Sequence, residues 1–273
     1  MSVRTLVIVC AAGAASSAAL AGFTRNIMLT GYWPPTNDML RQFSNNASQN
    51  PSGWVGGDWE GRGYNIYSYF PEFPNGVGQG EGDFEVNYAD TSADWQRIVN
   101  EIRPAAIITF SRANTTNGWE LEGGNRMYAN SQWTADFTGS RPTNDMPIVQ
   151  ALAPGTELFS SLPIADIISA VSMSGANVDA FSTTIDTGRY LSNFIGLHGN
   201  WYHEMNAGED AEWRNFAAGH IHVGQFTNLD DAVLATEVTL RTLTTYLDTV
   251  VPTPGAGLAF GLSGVLALSR RRR

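Results

Sequence analysis

Lysine is absent from this chain, and 16 arginines stand against 26 acidic residues. Five of those arginines sit at the ends, Arg4 and the run 270–273, so residues 22–251 hold 11 arginines and every acidic residue, a net charge of −15. A body so acidic has no electrostatic footprint for nucleic acid or anionic lipid, and its charge reads as a solubility feature. Cysteine is nearly absent too: the one residue, Cys10, lies in an apolar leader. The body can therefore form no disulfide, offer no thiolate nucleophile and ligate no metal through sulfur. Its stability must come from a packed core, and any covalent catalysis must use oxygen or nitrogen. Also missing are a Walker motif, a G-x-G-x-x-G turn after a strand, and any internal repeat, so no nucleotide and no other cofactor is expected.

The two ends read as address labels. Arg4 precedes the apolar run LVIVCAAGAASSAALAG, which closes on Ala19-Leu20-Ala21. A basic start, an apolar middle and an A-x-A site predict a secretory signal peptide over residues 1–21. At the other end, VPTPG is followed by small or apolar residues up to Ser269 and then by four arginines. The apolar part would span about 22 Å as a helix, short of a full hydrocarbon core, with the arginines on the cytoplasmic side. This order resembles the PEP-CTERM sorting signal of exported bacterial proteins. The resemblance implies that an envelope sorting enzyme processes residues 252–273 and that the protein is exported to the cell envelope or beyond. The expected organisation is thus a signal peptide (1–21), one domain (22–251) and a sorting tail (252–273).

Within the domain, apolar runs alternate between two periods. NIMLTGY (26–32), YNIYSYF (64–70), AAIITF (105–110), 178–183 and GHIHVGQF (219–226) read as strands. Helices are expected after Ser92 with Trp95, Ile98, Val99 and Ile102 on one face, and after Ser161 and Pro163. A third carries Leu191, Phe194, Ile195 and His198, and a last one, from about Asp230 to Val250, carries Val233, Leu234, Glu237, Leu240 and Leu243 on one side. Residues 111–157 read as a long polar segment. Strands alternating with helices predict an α/β fold, a three-layer α/β/α sandwich around a twisted, mostly parallel sheet.

Four histidines, His198, His203, His220 and His222, are the candidates for acid–base chemistry. A side-chain period of two puts His220 and His222 on one face of a strand. Ser192, where a strand hands over to a helix, is either a helix cap or a nucleophile. The pieces SSLPIADII, TGRYLSN (187–193) and GHIHV (219–223), with LTGYWP (29–34) and IVNEIRPAAII (98–108) upstream, resemble the pyroglutamyl peptidase I family, the pyrrolidone carboxyl peptidases. The resemblance implies a hydrolase ancestry. It places His222 on the family's catalytic histidine and Ser192 on its catalytic cysteine. The family's glutamate, followed five residues later by asparagine, falls on Glu120 with Asn125, or alternatively on Glu122. Tyr32 and Pro35 replace two phenylalanines that enclose the pyroglutamyl ring, and Tyr32, Trp33, Asn125 and Asn193 are the implied pocket residues. Insertions at 45–62, 71–90 and 128–157 depart from the family.

A serine cannot stand as an alkoxide beside histidine; it must lose its proton during attack, to an imidazole held by a carboxylate. Ser192, His222 and Glu120 or Glu122 supply those groups for cleaving an amide or related acyl bond. A second reading is an inactive descendant whose groove binds peptide or cell-wall glycan, with Trp54 and Trp59 as stacking platforms. A third makes His220 and His222 metal ligands with Glu204 or Asp210.

Overall fold

The computed structural model describes residues 22–186 and 188–252. The expected signal peptide and all but the first residue of the expected sorting tail lie outside the described residues, as does Thr187.

The apolar runs form the middle of a six-stranded sheet. Strands β1 (Asn26–Thr30), β2 (Asn65–Tyr69), β5 (Ala106–Ala113) and β10 (Ala217–Gly224) lie parallel in the order β2-β1-β5-β10. Strand β6 (Gly118–Glu122) adds antiparallel to β10, and β9 (Asp179–Thr183) pairs parallel with β6 at the edge. Two ribbons lie outside the sheet: β3 (Pro71–Glu72) with β4 (Glu81–Gly82), and β7 (Gly124–Arg126) with β8 (Glu157–Phe159).

The helices are α1 (Thr36–Leu40), α2 (Tyr88–Ile102), α3 (Pro147–Ala151), α4 (Ile164–Met173), α5 (Leu191–Asn206) and α6 (Leu229–Val250). Alternation along the strands divides the core into two layers. Ile108, Leu121 and Ile221 pack under α4 and α6 with Ile167, Val171, Leu240 and Leu243. Met28, Ile107 and Ala218 pack on the other face under α2 and α5, with Trp95, Ile98, Phe194 and Leu197. The result is the expected α/β/α sandwich.

Several boundaries differ from expectation for local reasons. Helix α2 begins before Ser92, because Asn87 is the N-cap and its Oδ1 accepts from the Asp90 N–H at 2.8 Å. It ends where Arg103 turns left-handed (φ 51°) ahead of Pro104. The buried side of α6 is rotated from the expected one toward Ala235, Thr236, Thr239 and Leu243, which leaves Glu237 free to pair with Arg241. The polar segment 111–157 is no single loop, since it contains β6, β7 and α3. Strand β6 reads polar because only Trp119 and Leu121 face the core, while Glu120 and Glu122 occupy the α5 side.

Candidate active site

The site lies at the carboxyl ends of the parallel strands, on the α5 face, the usual position for a ligand cleft in such a sheet. A pocket of about 840 Å³ opens there, lined by Tyr32, Trp33, Glu120, Glu122, Ser192 and His222 among others. Register explains the gathering. His220 and His222 on β10 pair with Thr109 and Ser111 on β5 and, on the other side, Glu120 lies directly across from His222. Every one of these side chains is two residues from the next on its strand, so all project to the same face.

His222 Nδ1 meets Glu122 Oε1 at 2.7 Å, and Glu122 is 2% exposed. The carboxylate that engages the imidazole is therefore Glu122, and Glu120, preferred from spacing, lines the pocket without reaching His222. Burial opposes a charge on His222, but the Glu122 hydrogen bond and the negative charges of Glu122, Asp186 and Glu120 outweigh it and raise its pKa above the ordinary value. With Nδ1 committed to Glu122, the neutral tautomer keeps its lone pair on Nε2, which has no protein partner among the described residues.

Asn125 is not a pocket residue. It is fully buried, its Nδ2 donates to Glu122 Oε2 at 2.7 Å, and its Oδ1 accepts from Asn200 Nδ2 of α5 at 2.9 Å. The Glu122 carboxylate is thus held on both oxygens. Close approach makes this possible: a Cβ on Gly196 of α5 would lie 2.7 Å from both amide atoms of Asn125. Asn193 is also structural. Its amide accepts from the Arg126 N–H at 3.1 Å and donates to the carbonyls of Arg126 and Gly188 at 2.9 and 2.7 Å, tying the start of α5 to β7.

Ser192 is the second residue of α5, and no side chain caps that helix. The first-turn N–H groups have no intrahelical acceptors, and the helix dipole makes this end attractive to negative charge. Ser192 is therefore not the cap; its hydroxyl makes no side-chain hydrogen bond among the described residues and lines the same pocket as His222. Tyr32 and Trp33 do line the pocket. The Tyr32 hydroxyl is buried against Thr91 Oγ1 at 2.6 Å, and burial raises its pKa. The Trp33 indole N–H donates to the Gly78 carbonyl, Phe137 meets its ring edge-on at 5.6 Å, and the Arg112 guanidinium lies 5.0 Å over it.

The insertions supply part of the pocket wall that no motif announced. Val86 and Tyr88 come from 71–90, and Thr134, Asp136 and Phe137 from 128–157. Asp136 is consumed internally, accepting from the N–H groups of Tyr88, Thr138 and Ser140. Asp186 also lines the pocket, with burial first and the Glu122 charge second raising its pKa to about 6.

Glu122, His220 and His222 bring one potential metal-ligand atom each within 4.8 Å of one another. These atoms are already wired together by hydrogen bonds. His220 Nδ1 meets Thr109 Oγ1 at 2.7 Å and Nε2 meets Ser111 Oγ at 2.8 Å, and burial holds this ring neutral, well below its ordinary pKa. Glu204 and Asp210, the expected co-ligands, are exposed residues at and beyond the far end of α5. His203 meets Asn215 Oδ1, and His198 lies in the core beside Phe194 and Trp95. The two proposed stacking tryptophans anchor their own loop. Trp59 is 6% exposed against Phe43, and Trp54 stacks on Tyr67 while donating to the Ile66 carbonyl.

No protein-family model matches the chain, and no curated protein matches it significantly. Solved structures do. A mutant pyrrolidone carboxyl peptidase from the hyperthermophile Pyrococcus furiosus superposes with a TM-score of 0.58 at 16% identity, covering 81% of this chain and 99% of that one. The Bacillus amyloliquefaciens pyroglutamyl peptidase I gives 0.56 at 15% identity, covering 81% and 97%. The Thermococcus litoralis pyrrolidone carboxyl peptidase gives 0.55 at 18%, covering 84% and 99%. The chain shares their fold over nearly their whole length.

Proposed function

We propose that this protein is an exported hydrolase of pyroglutamyl peptidase ancestry that cleaves an amide or related acyl bond of a peptide through Ser192, His222 and Glu122. The observation that carries the reading is the buried 2.7 Å contact between Glu122 and His222 beside a serine at an uncapped helix start. Ser192 Oγ attacks the carbonyl carbon while its proton passes to His222 Nε2, and Glu122 stabilises the imidazolium. Negative charge on the carbonyl oxygen is met by N–H groups of the first turn of α5. His222 then gives its proton to the leaving amine, and water releases the acyl group by the same route in reverse. The reading requires Ser192 Oγ and His222 Nε2, which line one pocket, to come within hydrogen-bond reach when substrate fills it.

The reactive atom matters for substrate. Tyr32 with its hydroxyl tied to Thr91, and Trp33 with Phe137 edge-on to its ring and Arg112 over it, shape the first-loop side of the pocket. A pyroglutamyl ring is therefore one candidate acyl group among several. Residues 22–251, assayed with pyroglutamyl and general acyl reporters, are expected to hydrolyse at least one of them, and Ser192→Ala to abolish that turnover. Turnover that survives Ser192→Ala would remove the serine from the mechanism. A wild-type domain that retains peptides in the pocket, with no turnover on any reporter, would favour the non-catalytic binding protein instead; the open Ser192 hydroxyl is the feature that keeps this second reading in view.

Export rests on residues 1–21, and sorting on residues 252–273. An intact mass beginning at Gly22 in protein recovered from the envelope supports both halves of that route only if the C-terminal arginines are also gone.

A further inference from the structure

Beside the Glu122–His222 pair lies an oxygen without a hydrogen-bond donor. Asp186 Oδ2 is shut off from solvent and has no partner among the described residues, whereas Oδ1 accepts from the Gly188 N–H at 2.6 Å. The residue is fixed there by its backbone: its N–H donates to the Gly124 carbonyl at 2.8 Å, in a bridge that aligns Asp186 with Asn125. This sets Asp186 beside Asn125, the residue that donates to Glu122 Oε2, and its carboxyl lines the same pocket as the Glu122 carboxylate, whose charge acts on it. Two carboxylates facing one another supply four acceptors and no donor, which is untenable away from water.

The bookkeeping of hydrogens points to where the missing proton sits. Glu122 Oε1 is met by His222 Nδ1 and Oε2 accepts from Asn125, so neither of its oxygens is the natural carrier. Asp186 Oδ1 accepts from the backbone, which leaves Oδ2. We propose that Asp186 is a positioning residue of this site, a carboxyl that stays protonated and donates from Oδ2 to the Glu122 carboxylate. The inference deepens the hydrolase reading given above and rests on it for its catalytic consequence.

The other charges around the pair leave this arrangement in place. Glu120 and Glu122 face it from β6, and His222, with neutral His220 behind, from β10. Among the described residues no arginine closes on it: Arg126 pairs with Glu157, and Arg189 lies over Tyr128. From the start of α5, the neutral Ser192 and the Gly188 N–H complete the surroundings. In this network a neutral Asp186 steadies Glu122 with a third donor. An ionised Asp186 adds a second negative charge near His222 and makes the imidazole harder to deprotonate, which works against its service as a base.

The test compares Asp186→Asn, which keeps a donor at the same position but cannot ionise, with Asp186→Ala, which removes the donor. Thermal denaturation of the wild type and Asp186→Asn from pH 4 to pH 7.5 reads the proton without reference to activity. Because the folded state holds this proton more tightly than the unfolded chain, the Asp186 contribution to wild-type stability falls as pH rises through the window. The Tm difference should therefore move in favour of Asp186→Asn with rising pH. NMR titration of the His222 imidazole should show little change in pKa in Asp186→Asn, because the wild-type carboxyl is neutral while the ring titrates. On an active reporter, Asp186→Asn should hold kcat/KM within a fewfold, with its acid limb in place, and Asp186→Ala should lose tenfold or more. A Tm difference independent of pH, or a His222 pKa that falls in Asp186→Asn, overturns the proposal. If the wild type hydrolyses nothing, the hydrolase reading fails, and the denaturation and NMR arms still decide the proton.

Discussion

At the scale of single residues, the site depends on which of two glutamates two positions apart reaches the histidine. Glu120 is the direct cross-strand neighbour of His222, yet the carboxylate in contact is Glu122, braced by Asn125. Glu122→Gln keeps the shape but cannot stabilise an imidazolium, and a kcat loss of roughly 10³-fold or more is expected, by comparison with amide replacements in acid–base triads. Glu120→Gln changes a pocket wall and should cost less than tenfold. Side-by-side kinetics on one reporter check the order, and equal losses would place both carboxylates on the reaction path. Ser192 and His222 were the sequence's candidates because one lies at a strand-to-helix junction, the other in an alternating run, and both fall on motifs of the family that the sequence resembles. It left the glutamate open, since the spacing to Asn125 says nothing of which carboxylate leans toward β10. The same spacing made Asn125 look like a substrate contact, whereas burial shows it to be a brace.

Among the elements, α5 matters most, since it presents Ser192 at its start and closes the back of the site two turns in. Asn200 reaches Asn125 from this helix, and Gly196 leaves the space in which Asn125 sits. Ordinarily, alanine in place of a helical glycine stabilises by about 1 kcal/mol. Here the added methyl would sit 2.7 Å from Asn125 and must displace it or the helix. Gly196→Ala is therefore expected to destabilise by about 1–3 kcal/mol, measured by chemical denaturation, and to weaken hydrolysis by loosening Glu122. A stabilised variant would show that α5 has slack against β7. Elements with unbroken apolar runs were legible in advance, as were the helices with a clean apolar stripe. Strand β6 was not, although Trp119-Glu120-Leu121-Glu122 alternates with a period of two, because its site face is acidic and its core face only two residues wide. The pocket wall from 128–157 had no periodic signal at all, since Phe137 owes its place to a contact with Trp33 that is remote in sequence.

For the whole molecule, dependence on pH is a contest among buried groups that pull in opposite directions. In the site the shifts partly offset one another: the neutral ring of His220 resists acid, while Asp186 and His222 both bind protons more tightly in the fold than in the unfolded chain. His198 stands apart from that cluster, fully buried among Phe194, Trp95 and Trp201. Its Nδ1 faces the Phe194 carbonyl, its Nε2 has no partner among the described residues, and burial lowers its pKa to about 4 despite that carbonyl. The unfolded chain, with an ordinary histidine pKa near 6.5, takes up this proton first as pH falls. Stability contributed by the neutral ring is therefore complete above about pH 6.5 and lost progressively down to about pH 4, on the order of 3 kcal/mol in all. His198→Phe keeps an aromatic ring in an aromatic cage and removes the proton site. The variant should lose stability near neutral pH, through the forfeited hydrogen bond and the larger ring, and yet gain on the wild type as the solution is acidified from pH 6.5 to 4. Paired urea denaturation curves at four or five pH values across that interval measure the difference directly. Parallel stability curves would show that the acid sensitivity of the fold originates elsewhere, with His220 the next place to look.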